Sequence, residues 1–310
     1  YDNINVNDDI DLKELFSPAT EEELVTVKKE WRDFNPNSES FRVVKDFNYS
    51  AGRKCLILAH TAEEQEHYGA IIFPEQHDPT KKHPLLLFAW GLNQRDPTVA
   101  FFDNAFMASF FKSLPNHFIL IPSFRGQALQ FNLERFCSDG FFGDAFDGAT
   151  DDALRLLHLA KAEYAGIDSK KITAYGISRG GTVALLMGIR EPSINAVISV
   201  AGPTNFFSKK AYDLFRTQFK YQFLSKRKPI AELRRKMIKS TPLLFIDQYQ
   251  NHLYIVHGHN DHIVQYDWQV APLLEQLEER PKLDTLISEG GHNFNDSEAL
   301  VKWINEKDEQ

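Results

Sequence analysis

Cysteine is nearly absent. The 310 residues hold two, Cys55 and Cys137, which excludes a disulfide framework and a cysteine zinc site and leaves only one bridge between them open. Long apolar runs are missing too. Runs such as residues 84–90 and 253–256 fall far short of the ~18 residues of a membrane-spanning helix, so no membrane span is expected. Positive charge is in deficit. Thirty-five Lys/Arg against 43 Asp/Glu give a net charge of −8, a poor match for phosphate backbones, and no nucleic-acid partner is expected. Sixteen Gly and 14 Pro follow no period, which excludes collagen-like structure. What is present is ordinary globular chemistry, 43% hydrophobic and 25% charged residues, in a chain long enough for one large α/β domain. The first residue is Tyr1 and not Met, which leaves export after leader removal open. Compartment and oligomeric state stay open as well.

Charge is unevenly distributed. Residues 1–33 carry ten Asp/Glu and four Lys/Arg, a net of −6. A short helix is expected from Glu21 to Trp31, within an acidic surface arm covering residues 1–40. From residue 41 onward the pattern is that of a folded domain, 41–310. Residues 41–47, 54–60 and 67–73 read as strands. Residues 84–90 and 117–122 are continuous apolar runs, the signature of strands buried on both faces. Residues 150–164 read as a helix with Thr150 as N-cap and Asp151 and Asp152 at its positive end. Strands at 172–176, 194–200, 253–257 and 283–288 alternate with helices at 180–188, 265–279 and 296–306. Such alternation implies a mostly parallel sheet covered on both faces. One stretch breaks the rhythm. Residues 209–239 hold eleven Lys/Arg against Asp213 and Glu232, a net of +9, interleaved with aromatics such as Phe215, Phe219 and Phe223. It reads as a cap insertion, about 203–240, formed by an amphipathic helix pair. Its basic face is expected either to be solvated or to draw anionic substrates.

The chemistry concentrates in Gly176-Ile177-Ser178-Arg179-Gly180, a G-x-S-x-G turn between an apolar strand and a small-residue helix. That layout lifts a serine hydroxyl clear of the backbone and aims the first helical N–H groups at a developing oxyanion. A serine needs a base to take its proton, and the base needs a carboxylate to hold its tautomer. Asp261 follows the strand ending at His257. His292 follows the last strand, after Gly290 and Gly291. The order Ser178, Asp261, His292 suits this turn type, and all three lie at carboxyl ends of strands. Asp247 and Asp267 are competing carboxylates in less suitable positions.

These residues carry a resemblance. Together with Ile121-Pro-Ser-Phe-Arg-Gly126 and His257-Gly-His-Asn-Asp261-His-Ile-Val264, they make the chain similar to the α/β-hydrolase superfamily. It most resembles the catalytic domain of prolyl-oligopeptidase-type serine hydrolases, over roughly residues 65–308. The resemblance implies an α/β-hydrolase fold: an eight-stranded, mostly parallel sheet with helices on both faces and a helical cap. It also implies catalysis by Ser178, Asp261 and His292 through an acyl-enzyme, with no cofactor or metal, on a small-molecule ester or short peptide. About 65 residues precede the match, too few for the β-propeller of the peptidases. An esterase is therefore expected over a peptidase, with a non-catalytic binding module as the third alternative. The oxyanion pocket departs from relatives. The backbone N–H of Arg179 and one near Gly91 and Leu92 are expected donors. Trp90, standing where relatives place His or Tyr, is a further candidate through its indole or a packing wall.

Other motifs are weaker. His257, His259 and His262 form H-x-H-x-x-H, a faint metal signal. Arg125 is expected to pin its loop by pairing with Asp144 or Asp147. Asn48-Tyr-Ser50 and Asn295-Asp-Ser297 match a glycosylation sequon.

Overall fold

Hydrophobic side chains at every position of a strand require cover on two faces, and the computed structural model supplies it. It describes residues 10–49, 52–93, 96–99, 104–225, 228–293 and 296–309. Ser50 and Asn295, each part of a sequon, lie outside them.

The strands, in chain order, are β1 (Ser40–Asn48), β2 (Lys54–Ala62), β3 (Gln65–Ile72), β4 (His83–Ala89), β5 (Thr98–Val99), β6 (Phe118–Ser123), β7 (Ala128–Phe131), β8 (Glu134–Cys137), β9 (Ile167–Ile177), β10 (Ala196–Val200), β11 (His252–Gly258) and β12 (Leu283–Ser288). Among the described residues the main sheet has nine strands, in the order β1-β2-β3-β6-β4-β9-β10-β11-β12, where eight were expected. The run from β6 to β12 is parallel, and β1, β2 and β3 form an antiparallel edge. β5, β7 and β8 form a small second sheet. These short strands lack the long apolar runs that mark the core strands.

The helices are α1 (Leu12–Leu15), α2 (Glu21–Asp33), α3 (Ala105–Lys112), α4 (Asp147–Glu163), α5 (Arg179–Arg190), α6 (Lys209–Leu214), α7 (Arg216–Phe223), α8 (Ile230–Lys239), α9 (Tyr266–Gln269), α10 (Ala271–Gln276) and α11 (Ser297–Asp308). Alternation along the strands divides the core. Leu85, Leu87 and Ala89 of β4 join Leu156 of α4 and Leu185 of α5 on one face. Leu86 and Phe88 join Phe110 of α3 and Trp303 of α11 on the other.

Two local expectations change, and one open question closes. Thr150 is not an N-cap. Helix α4 starts at Asp147, and the Thr150 hydroxyl donates back to the Phe146 carbonyl at 2.8 Å from inside the helix. The helix expected over 265–279 is two, α9 and α10, broken at Val270 with Pro272 in the first turn of the second. A proline lacks the N–H and crowds the preceding turn, so the break falls before it. The cysteines do not pair: Cys55 is buried in β2, and Cys137 is exposed.

The segment expected to be a helix pair is three helices, α6, α7 and α8, and the acidic arm packs on it. Leu15 and Val27 of the arm are both fully buried. Glu23 pairs with Arg234 at 2.7 Å and Glu30 with Arg235 at 3.1 Å. Lys239 reaches Asp147 at 2.9 Å, and Lys236 reaches Asp144 at 3.4 Å. A reading in which these four cations face solvent to draw anionic substrates therefore loses its basis: each has a carboxylate beside it.

Candidate active site

Ser178 sits between β9 and α5 with φ 55° and ψ −120°. A non-glycine residue rarely occupies positive φ, and here the strain is held by close packing on both sides. A Cβ at Gly176 would lie 1.9 Å from the Gly180 carbonyl oxygen, and one at Gly180 would lie 1.9 Å from that of Ala89. Only glycine lets strand, turn and helix approach this closely.

The three predicted side chains converge. His292 Nε2 lies 3.0 Å from Ser178 Oγ, and His292 Nδ1 lies 2.7 Å from Asp261 Oδ2. The other oxygen, Asp261 Oδ1, accepts the backbone N–H groups of Ile263 and Val264, each at 2.8 Å. Burial works against the Asp261 charge, but hydrogen bonds from His292, Val264 and Ile263 prevail and hold its carboxyl below the usual range. An ionised Asp261 accepts a hydrogen bond from Nδ1–H and leaves Nε2 free to face the serine. The loops carrying Asp261 and His292 touch: a Cβ at Gly258 would lie 2.3 Å from the carbonyl oxygens of both Gly290 and Gly291. Asp247 and Asp267 are exposed and stand apart from this relay.

The H-x-H-x-x-H residues do not gather around a common point, and no cluster of metal-ligating side chains occurs among the described residues. His257 is buried, and its Nε2 meets the Val264 carbonyl at 2.7 Å. Burial, first, lowers its pKa and favours a neutral ring that donates to this carbonyl. It braces the loop that carries Asp261. His259 packs against Tyr266, with ring centroids 4.8 Å apart, and His262 is exposed.

The oxyanion candidates lie on two sides of Ser178. The Arg179 N–H is in the first turn of α5, where backbone donors have no helical acceptor. Gly91 passes alongside: a Cβ there would lie 3.7 Å from Ser178 Cβ. Leu92 lines the same cavity as Ser178. Trp90 does not line it. Its ring packs edge-on against Phe88, at 5.5 Å between centroids, which does not support the wall role.

One contributor had no sequence signal. The Arg179 side chain is buried, and its Nη2 donates to the carbonyls of Trp90 and Gly91, each at 3.0 Å, and to Gln127 Oε1 at 3.1 Å. Its plane stacks on Phe124 at 4.6 Å. Burial lowers its pKa to about 9, and among the described residues no carboxylate pairs with it. The guanidinium thus ties the 90–92 loop to the serine turn. Arg125 does pin its loop, through Asp144 as expected and through Asp152, each at 2.8 Å, while Asp147 turns to Arg190 and Lys239.

The relay opens into a cavity of about 450 Å³. Phe206, Phe215, Phe219, Phe223 and Trp268 form most of its walls, and Gln218, Gln222 and Gln269 supply polar points. A separate polar cavity of about 470 Å³ lies among the arm–cap ion pairs. No helix among the described residues is long and apolar enough to cross a membrane.

Comparisons with known proteins agree with this architecture. The chain has the α/β-hydrolase fold. A family model described as BD-FAE, an esterase-type α/β-hydrolase domain, matches residues 148–277. Acetyl xylan esterase 1 from Thermoanaerobacterium sp. JW/SL YS485 is similar in structure, with TM-score 0.64 and 17% identity over 96% of this chain and 99% of that one. The esterase Pf2001 of Pyrococcus furiosus gives TM-score 0.59 and 16% identity, over 88% of this chain and 97% of that one. A protein of Bacteroides ovatus ATCC 8483 described as a dipeptidyl aminopeptidase IV gives TM-score 0.61 and 16% identity over 87% of this chain. This chain spans only 36% of that protein's length. No curated protein matches the chain in sequence.

Proposed function

We propose that the protein is a serine hydrolase that cleaves carboxylic esters through an acyl-enzyme. The observation that carries this reading is the Ser178–His292–Asp261 relay, at 3.0 and 2.7 Å, opening into a largely apolar cavity. Ser178 Oγ attacks the ester carbonyl while His292 Nε2 takes its proton. Asp261 holds the ring in the required tautomer and stabilises the imidazolium. The N–H groups of Arg179 and Leu92 receive the oxyanion. Collapse expels the alcohol, which takes the proton back from His292. A water activated by the same imidazole then releases the acid. The aromatic walls suit a substrate with a bulky apolar group beside the carbonyl.

The test is labelling with a fluorophosphonate and turnover of a matched panel of p-nitrophenyl esters and aminoacyl-anilides. Ester turnover exceeding anilide turnover, with labelling abolished in Ser178→Ala and kcat lowered at least ~10³-fold, is the expected result. Preference for anilides would favour a peptidase. Unchanged turnover in Ser178→Ala would end the serine-hydrolase reading.

A further inference from the structure

The cavity's outer wall leans on the acidic arm. Arg234 of α8 is buried, and its guanidinium is surrounded by the arm. Nη1 donates to the carbonyls of Glu14 at 2.8 Å, Leu15 at 3.0 Å and Ser17 at 2.9 Å. Nη2 reaches the Pro18 carbonyl at 3.2 Å and Glu23 Oε2 at 2.8 Å, while Nε reaches Glu23 Oε1 at 2.7 Å. These bonds fix α1, which has four residues and is too short to persist alone. With α1 held, Leu15 is buried in the cap cluster. The next residue, Phe16, packs its ring 5.8 Å from Phe219 and 6.0 Å from Tyr212. Phe219 meets Phe223 at 4.9 Å, and Phe223 meets Phe206 at 5.6 Å. Those three rings line the cavity that contains Ser178.

We propose that the arm is a specificity clamp: Arg234 and Phe16 position the aromatic wall and so set how large an acyl group the site accepts. Neither residue touches the substrate; both act through Phe219. The proposal rests on the ester-hydrolase reading of the Ser178 site. A small acyl group, such as acetyl, reaches only Ser178 and the oxyanion donors and is indifferent to the wall. A long or aromatic acyl group packs against Phe219 and Phe223 and depends on where they stand.

The experiment measures kcat/KM for p-nitrophenyl acetate, butyrate, octanoate and benzoate with wild type, Phe16→Ala, Arg234→Met and the milder Phe16→Leu. The clamp predicts about a tenfold loss on octanoate and benzoate, a change within about twofold on acetate, and an intermediate profile for Phe16→Leu. A wall that only stabilises the fold would lower all four esters by one factor, and that result, or no change at all, would overturn the proposal. Ser178→Ala is run alongside. If it retains full turnover, the ester-hydrolase reading fails, and the clamp is then judged by hydrogen exchange. Faster amide exchange confined to residues 209–223 in Phe16→Ala supports the clamp, and unchanged exchange there refutes it.

Discussion

Gly176 and Gly180 face each other across the serine turn so closely that a Cβ on Gly176 would lie 1.9 Å from the Gly180 carbonyl oxygen. The obstacle is backbone, not a side chain that can rotate away. Gly176→Ala should therefore cost about 3 kcal/mol or more and displace Ser178 from His292. A thermal melt together with fluorophosphonate labelling reads both effects. A variant with unchanged melting and labelling rate would show that the turn is looser than described.

The carboxylate assignment separates by mutation. Asp261→Asn keeps the shape of the side chain but favours the wrong His292 tautomer, and should lower kcat on the order of 10⁴-fold. Asp247→Asn and Asp267→Asn, both at exposed positions, should leave kcat within about twofold. Steady-state kinetics on one ester checks all three. Major loss in Asp247→Asn with a mild effect in Asp261→Asn would reassign the acid.

Arg179 should resist conservative replacement. Lysine presents a point charge and cannot serve two carbonyls, an amide oxygen and an aromatic face from one plane. Arg179→Lys leaves the backbone N–H in place, so any loss reports on the 90–92 loop. We expect kcat to fall roughly 10- to 100-fold with KM nearly unchanged if the loop supplies an oxyanion donor, as proposed. A KM effect alone would assign the loop to substrate binding instead.

Acid stability should trace in part to Glu191, at the end of α5. Burial opposes its charge, but hydrogen bonds from His158 at 2.6 Å and from Ser193, with Lys161 nearby, lower its pKa from 4.5 to about 2. A folded pKa below the unfolded one gives stability above about pH 4.5 that is lost as pH falls toward 2. The shift corresponds to at most about 3 kcal/mol. Glu191→Gln should lower stability at pH 7 by roughly 2 kcal/mol and change it little at pH 2.5. Denaturant unfolding at the two pH values decides, and an equal loss at both would rule the ion out as the source.

Much of this was readable in the chain because the relevant signals are local. Continuous apolar runs such as residues 84–90 mark strands covered on two faces, and Gly176-Ile177-Ser178-Arg179-Gly180 marks a turn whose geometry follows from its own glycines. The positions of Asp261, past the buried β11, and of His292, past the last strand and two glycines, were legible for the same reason. Other features depend on partners far away in sequence. The role of the Arg179 side chain left no signal, because it donates mainly to backbone carbonyls, which leave no mark on residue type. The cap's cations looked free because Glu23 and Glu30 lie about two hundred positions earlier. Trp90 stood at the right place after β4, but the packing of Phe88 decided where its ring went.

The bond from Arg234 to the Glu14 carbonyl joins residues 220 positions apart. A ribosome adding ~5–20 residues per second takes roughly 10–45 s to make the second after the first. During that interval the arm exists without its dock. Its density of carboxylates keeps it hydrated and averse to premature collapse, while Leu15 and Phe16 wait for the aromatic surface that will cover them. The cavity wall can therefore take its final form only once α8 has been made, long after the arm residues that support it.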